Sequence, residues 1–222
     1  MKTYINLLRP KTLLVGFAPL LLCYAILKKQ GASIDQVTMS LAFACVTFLQ
    51  MGSNVANDLY DGIRGVDGKN RIGPKRETAS GTIDIKTLKI FTLLLFLVAF
   101  IIGTYISYHT GPELFILGML SLIVAYCYTG GPVPLAYVGL GEILALLFFG
   151  PIAFYGTYYI QTKTIDFNLF SMALIPGLFS ASLMALNNYR DINTDRLSGK
   201  KTIAVLLGHK KAKHLTSWLY GS

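Results

Sequence analysis

VTMSLAFACVTFLQMGSNVANDLYD, residues 37–61, is the stretch that decides the reading of the chain. It carries no charge until Asp58, and about 20 such residues suffice to cross the hydrocarbon of a bilayer as a helix. It then closes on Asn54, Asn57, Asp58 and Asp61. These fall at i, i+3, i+4 and i+7, so on a helix they share one stripe. A carboxylate in lipid costs about 2.5–3.5 kcal/mol on insertion scales. Two carboxylates and two amides at the end of a spanning segment therefore call for cations, and the stripe is a candidate site.

Outward from this run the same apolar pattern repeats. Further runs cover about 12–27, 87–108, 113–128, 139–160 and 168–189. They predict an all-α integral membrane protein, a multi-helix transmembrane bundle with six full spans. A seventh apolar segment starts at about 211, and the reading is of one domain over 1–222 that lacks the last two or three helices. Arg9-Pro10-Lys11-Thr12 predicts a helix start. Gly111-Pro112 breaks the chain, and Tyr128-Thr-Gly-Gly-Pro132 is a turn-rich link. Small residues in the spans, such as Gly16 and Gly103, fit helix packing.

Composition supports membrane over water. Of 222 residues 53% are hydrophobic and 14% charged, against roughly 25% charged in soluble domains. The net charge of +9 does not indicate nucleic acid, because the basic residues flank apolar runs and form no continuous face. Cys23, Cys45 and Cys127 lie in apolar runs and are odd in number, which favours free thiols over a disulfide framework. With six spans, seventeen of the twenty lysines and arginines fall on the side of the N-terminus, leaving Lys28, Lys29 and Lys163 opposite. The positive-inside rule then puts the N-terminus and both long polar loops in the cytoplasm, with the protein in the cell membrane.

The sixth run ends Asn187-Asn188-Tyr-Arg190-Asp191-Ile-Asn-Thr-Asp195-Arg196. An asparagine, Asp191 and Asp195 again share a helical stripe, at the same membrane face as the first. Five of eleven acids, Asp58, Asp61, Asp67, Asp191 and Asp195, lie in the two stretches. Facing acids repel unless a cation lies between them. Oxygen donors with amides suit Mg²⁺ or Mn²⁺ rather than zinc. Arg64, Arg71, Lys75, Arg76, Lys200 and Lys201 supply the charge that a diphosphate also needs. Acids, metal and bases at a lipid boundary point to a lipid-linked diphosphate with its head in the cytoplasmic mouth. The plainer reading of each residue is helix cap or topology signal, and Asp67, past Gly62 and Gly65, also reads as a turn residue.

These residues resemble the UbiA superfamily of intramembrane aromatic prenyltransferases. Its two Asp-rich motifs match Asn57-Asp58-Leu-Tyr-Asp61 and Asn187 to Asp195. Arg71-Ile-Gly-Pro-Lys75-Arg76 with Ser80-Gly81, Tyr128-Thr-Gly-Gly-Pro132 leading to Gly139-Leu-Gly-Glu142, and Arg190 to Gly199-Lys200 resemble the 1,4-dihydroxy-2-naphthoate polyprenyltransferase branch. The resemblance implies that Asp58, Asp61, Asp191 and Asp195 hold Mg²⁺ against an allylic polyprenyl diphosphate, helped by Asn54, Asn57, Asn187 and Asn188. Arg64, Arg71, Lys75, Arg76 and Lys200 would offset the charge of the departing diphosphate. The acceptor would be 1,4-dihydroxy-2-naphthoate, losing CO₂ in menaquinone synthesis, or else another ring such as 4-hydroxybenzoate.

Several residues keep two readings. Tyr126 and Tyr128 could face an allylic cation or belong to an interfacial belt. Glu142 could touch substrate or favour a helix N-terminus. Asp58-Leu-Tyr-Asp61-Gly62 also matches the opening of the CDP-alcohol phosphotransferase signature, but the Ala-Arg that should follow is missing. A transporter built from a repeat is the non-enzyme reading. Against it, the carboxylates sit at one mouth and not at mid-membrane.

Overall fold

A computed structural model describes residues 2–65 and 83–220 of the chain. Arg71, Lys75, Arg76 and Asp67 lie outside the described residues, as do Ser80 and Gly81. All regular structure among the described residues is helical: α1 (Lys2–Leu8), α2 (Pro10–Lys29), α3 (Gln36–Ile63), α4 (Ile85–Thr110), α5 (Pro112–Cys127), α6 (Gly141–Leu147), α7 (Ala153–Thr162), α8 (Phe170–Arg190), α9 (Ile192–Leu197) and α10 (Ile203–Tyr220).

The local chemistry explains the helix starts. Pro10 and Pro112 occupy first-turn positions of α2 and α5, where a missing N–H costs nothing. Asp35 caps α3 by accepting from the Val37 N–H at 2.9 Å, and Asp84 caps α4 through the Thr87 N–H at 2.9 Å. Asp84 is fully exposed, and its hydrogen bonds from Thr87 hold its carboxyl below the usual carboxylate range.

Five segments are long and apolar enough to cross a membrane: Thr3–Lys29, Gln36–Ile63, Ile85–Thr110, Gly141–Thr162 and Phe167–Arg190. The fourth expected span is α5, whose 16 residues give about 24 Å of helix, short of the roughly 30 Å core. The fifth expected span is not one regular helix. A π turn over Phe148–Ile152 separates α6 from α7, with Gly150 at φ −120°, ψ −113° and Pro151 beside it. This is where α6 meets α8: a Cβ on Gly177 would lie 2.2 Å from the Leu146 carbonyl oxygen and 2.9 Å from the Gly150 Cα. Only glycine permits that approach. Last, α10 starts at Ile203, earlier than the expected 211, and departs from helical geometry at Gly208.

Side chains such as Leu14, Leu93, Ile101, Ile116 and Phe179 point outward and are exposed. Lipid, not water, is the solvent that such a surface suits. The long helices surround a central cavity of about 590 Å³. One end of the bundle gathers Arg9, the C-termini of α3, α5 and α8, and the N-terminus of α6. The other end is closed by a different set, including Asp35 N–H to Gln161 Oε1 at 2.8 Å and Lys163 to the His109 carbonyl at 3.4 Å.

Candidate active site

The first acidic stripe is the last part of α3, and its polar groups are turned inward. Asn54, Asp58 and Asp61 are 4%, 3% and 1% exposed. Buried polar groups must be satisfied, and the partners come from several neighbouring elements. Asn54 Nδ2 donates to the Leu8 carbonyl at 3.0 Å and to Thr12 Oγ1 at 2.9 Å. The Thr129 hydroxyl donates to Asn57 Oδ1 at 2.7 Å. The Tyr137 hydroxyl donates to Asp61 Oδ1 at 2.8 Å, and Lys200 Nζ stands 3.8 Å from Asp61 Oδ2.

Tyr137 sits on a short 3₁₀ turn, Leu135–Tyr137, between α5 and α6. Its backbone carbonyl accepts from the Lys201 N–H at 3.0 Å, so this turn joins the two acidic stretches. The Lys200 ammonium lies 5.1 Å and the Arg64 guanidinium 5.2 Å from the centre of its ring. Burial pushes its phenol up, and the Asp61 charge adds to that. Tyr137 is therefore a neutral donor that holds the Asp61 carboxylate in place.

The second stretch straddles a helix break. Asp191 ends α8 at φ −94°, ψ 10°, and Asp195 lies in the short α9. Asp191 is clasped by Arg190 at 2.8 and 2.7 Å. Asn188 Nδ2 donates to Glu142 Oε1 at 2.9 Å, while Glu142 Oε2 is buried with no partner among the described residues. That settles Glu142 as a contact of Asn188 rather than a residue lining the cavity.

Of the expected site residues, Asn54, Asn57, Asp61, Tyr128, Asn187, Asn188, Asp191, Asp195 and Lys200 line the cavity. Three do not. Asp58 is buried to one side of it. Tyr126 bonds the Tyr60 hydroxyl at 2.7 Å. Arg64 is committed to backbone, donating to the Thr129 carbonyl and, at 3.0 Å, to that of Gly131. A cation engaged by two carbonyls latches the α5–α6 link to α3, which its charge alone did not reveal.

Among the described residues no three of His, Cys, Asp or Glu form a group that could hold a metal. Asp58, Asp61, Asp191 and Asp195 thus make no closed cage. Tyr137 and Lys200 attend Asp61 and Arg190 attends Asp191, which offsets part of the like-charge repulsion. The members of the two acidic stretches that face the cavity offer hard oxygens of carboxylates and amides. Mg²⁺ binds through one or two carboxylates, waters and substrate phosphate, so the set fits such an ion. Away from this mouth the cavity is apolar, walled by Val46, Leu49, Phe100, Leu117 and Phe149 among others.

Residues missed in the sequence are Arg9, Thr129 and Tyr137. The last two lie between α5 and α6, where no periodicity signals which side chain will reach a neighbour.

Comparison with known proteins agrees with this geometry. The UbiA prenyltransferase family matches residues 16–222. The chain is 37% identical over 218 residues to the 1,4-dihydroxy-2-naphthoate octaprenyltransferase of Escherichia coli, covering 96% of this chain and 70% of that protein. It is 37% identical over 214 residues to the protein of the same description from Haemophilus influenzae, covering 92% and 69%. The chain thus spans about seven tenths of the length of these relatives. A UbiA homolog from Archaeoglobus fulgidus, solved bound to GPP and Mg²⁺, shares the fold with a TM-score of 0.73 at 20% identity, over 99% of this chain and 74% of that one.

Proposed function

Because the chain belongs to the UbiA prenyltransferase family, we propose that this multi-pass membrane protein prenylates 1,4-dihydroxy-2-naphthoate. A polyprenyl group moves from an allylic polyprenyl diphosphate to the ring, with loss of diphosphate and CO₂, giving demethylmenaquinol, the reduced form of demethylmenaquinone, in menaquinone biosynthesis. The observation that carries this is the cavity itself, an oxygen-rich, cation-flanked mouth on an apolar body of about 590 Å³. It matches a substrate with a doubly phosphorylated head and a hydrocarbon tail, and it lies within the range of small-molecule sites.

The roles follow from position. Asp61, Asp191 and Asp195, with Asn57, Asn187 and Asn188, would hold a divalent cation, Mg²⁺ or Mn²⁺, and Asp58 adds negative charge behind them. Such an ion supplies the positive charge against which a diphosphate binds and departs. Lys200 faces the same mouth, and Arg71, Lys75 and Arg76 follow α3 in sequence. They offset the charge that grows on the leaving group, stabilising it in a site from which water is excluded. The allylic C–O bond breaks and its electron pair goes to diphosphate. The Tyr128 ring, on the cavity wall, faces the allylic cation that results. The ring carbon bearing the carboxylate then forms the new C–C bond. The bond to CO₂ breaks, its pair returning to restore the aromatic ring. Meanwhile the apolar walls sheathe the tail and keep water from the cation. The bias of basic residues supports a cytoplasmic side for this mouth and the N-terminus.

The test is turnover by the purified protein in lipid with polyprenyl diphosphate, Mg²⁺ and dihydroxynaphthoate. Diphosphate and CO₂ should appear together. Undiminished diphosphate release from Asp58→Ala and Asp191→Ala would overturn the site, and turnover with 4-hydroxybenzoate alone would overturn the acceptor.

A further inference from the structure

Two residues other than glycine adopt left-handed backbone among those described, Lys163 at φ 58° and Arg9 at φ 49°. Lys163 has an ordinary reason. It terminates α7, with its N–H on the Tyr159 carbonyl at 2.9 Å, and helices commonly end in this conformation. Arg9 has no such reason. It stands before α2 at φ 49°, ψ 64° and offers no side-chain cap. N-cap residues normally sit in the extended region, and a residue before proline is pushed there as well. A β-carbon makes the left-handed region costly.

The corner is nonetheless held from several directions. Arg9 N–H donates to the Ile5 carbonyl at 3.2 Å, and the Arg9 carbonyl accepts from the Thr12 N–H and hydroxyl, each at 2.9 Å. Asn54 reaches over from α3 to the Leu8 carbonyl and to Thr12 Oγ1. A member of the acidic stripe is thus bonded to both sides of the strained residue. Strain maintained in this way usually serves a site. Its result here is that Arg9 lines the cavity, whereas Lys11 is exposed and does not. A topology signal would need neither the strain nor the seat.

We propose that Arg9 receives the carboxylate of the ring acceptor, its guanidinium set on the cavity wall by the left-handed corner between α1 and α2. The inference rests on the aromatic acceptor reading above. Lys200 stands by Asp61 and Arg190 by Asp191, among the acids where the diphosphate belongs. Arg9 is placed instead beside Asn54, one helical turn further from the mouth than Asp58. A ring acid entering an apolar cavity brings an anion that must be paired there, and a planar guanidinium can take both carboxylate oxygens at once. That pairing orients the ring carbon toward the prenyl group before the carboxyl leaves as CO₂.

The test uses the purified full chain in lipid nanodiscs and measures binding, without turnover. The probes are 1,4-dihydroxy-2-naphthoate and its decarboxylated diol, 4-hydroxybenzoate and phenol, and geranyl diphosphate with Mg²⁺. Arg9→Gly and Arg9→Asn accept the left-handed backbone and should melt at the same temperature as the parent or higher. Their naphthoate affinity should fall about tenfold or more, as for loss of a charged hydrogen-bond pair. Affinity for the diol and for geranyl diphosphate should not change, and Arg9→Lys should be intermediate. Variants that melt lower yet bind naphthoate normally would make the corner purely structural and overturn the proposal. A loss confined to geranyl diphosphate would also overturn it, by giving Arg9 to the donor. Arg9-dependent binding of 4-hydroxybenzoate but not naphthoate would leave Arg9 in place and remove the naphthoate reading.

Discussion

The two acidic stretches carry nearly the same residues but are built differently. Asn54 to Asp61 belongs to one unbroken helix, α3, and its acids are almost fully buried. Asn187 to Asp195 is divided by a break at Asp191, whose side chain keeps 15% of its surface and pairs with the partly exposed Arg190. The first stretch is a wall in which Asn54, Asn57 and Asp61 are each tied to a neighbouring element. The second is a rim that opens at Asp191, while Asp195 stays buried. A site that must bind a diphosphate and then release it needs both, one side preorganised and one able to adjust.

If that contrast holds, the heaviest loss should come from the fixed wall. Asp61→Ala removes a buried carboxylate and leaves Lys200 and Tyr137 facing nothing. Turnover should fall about a thousandfold, near the upper end for losing one preorganised charge-stabilising group. A single-turnover assay of diphosphate release reads it. A loss no greater than that of Asp191→Ala would remove the distinction between wall and rim.

Next comes Tyr137→Phe, which keeps the ring beneath Lys200 and deletes only the donor to Asp61. A hydrogen bond to a charged group contributes about 1.5–3 kcal/mol, so kcat/KM should drop roughly ten- to a hundredfold. Because Asp61 would then lose one of its anchors, the half-saturating Mg²⁺ concentration should rise with it. Unchanged Mg²⁺ dependence would mean that Tyr137 serves only to pack the link.

How much of this was legible in the sequence follows from the range of each effect. Apolar run length, helical spacing of the stripes and the charge bias are local, so membrane helices and the pairing of Asn54–Asp61 with Asn187–Asp195 could be read directly. The family resemblance came from the same motifs. The break in the fifth span could not be read from periodicity, because it depends on α8 pressing Gly177 against Leu146 and Gly150. Arg64 misled for a related reason: its charge suggested phosphate, but two backbone carbonyls in a distant turn claim it. Tyr137 was one of thirteen tyrosines, and nothing nearby in sequence marks it as the partner of Asp61. Glu142 was noticed, yet its contact with Asn188 is 46 positions away.

That contact gives a milder test on the rim. Glu142 fixes the amide of Asn188 with its nitrogen outward from the cavity, which leaves the oxygen for a ligand. Glu142→Ala should raise the half-saturating Mg²⁺ about tenfold, the low end for removing a group that orients a metal ligand. Glu142→Gln retains a carbonyl acceptor and should recover most of the loss. Equal defects in both variants would point to packing of α6 in place of orientation.

The smallest effect belongs to Arg190→Gln. Its guanidinium holds Asp191 through two short hydrogen bonds, a geometry that would look decisive in a buried setting. Here Arg190 is 36% exposed, and ion pairs with that much solvent contribute about 0–1 kcal/mol. The pair also works against metal binding, since a carboxylate clasped by arginine must be released before it can serve an ion. Loss of Arg190 should therefore change turnover less than about fivefold, while the half-saturating Mg²⁺ concentration moves down, not up. A titration of activity against Mg²⁺ for Arg190→Gln beside the parent reads the sign directly. A large rise would mean that Asp191 is as rigidly placed as Asp61, and the adjustable rim would have to be sought in Asp195 and the turn that follows it.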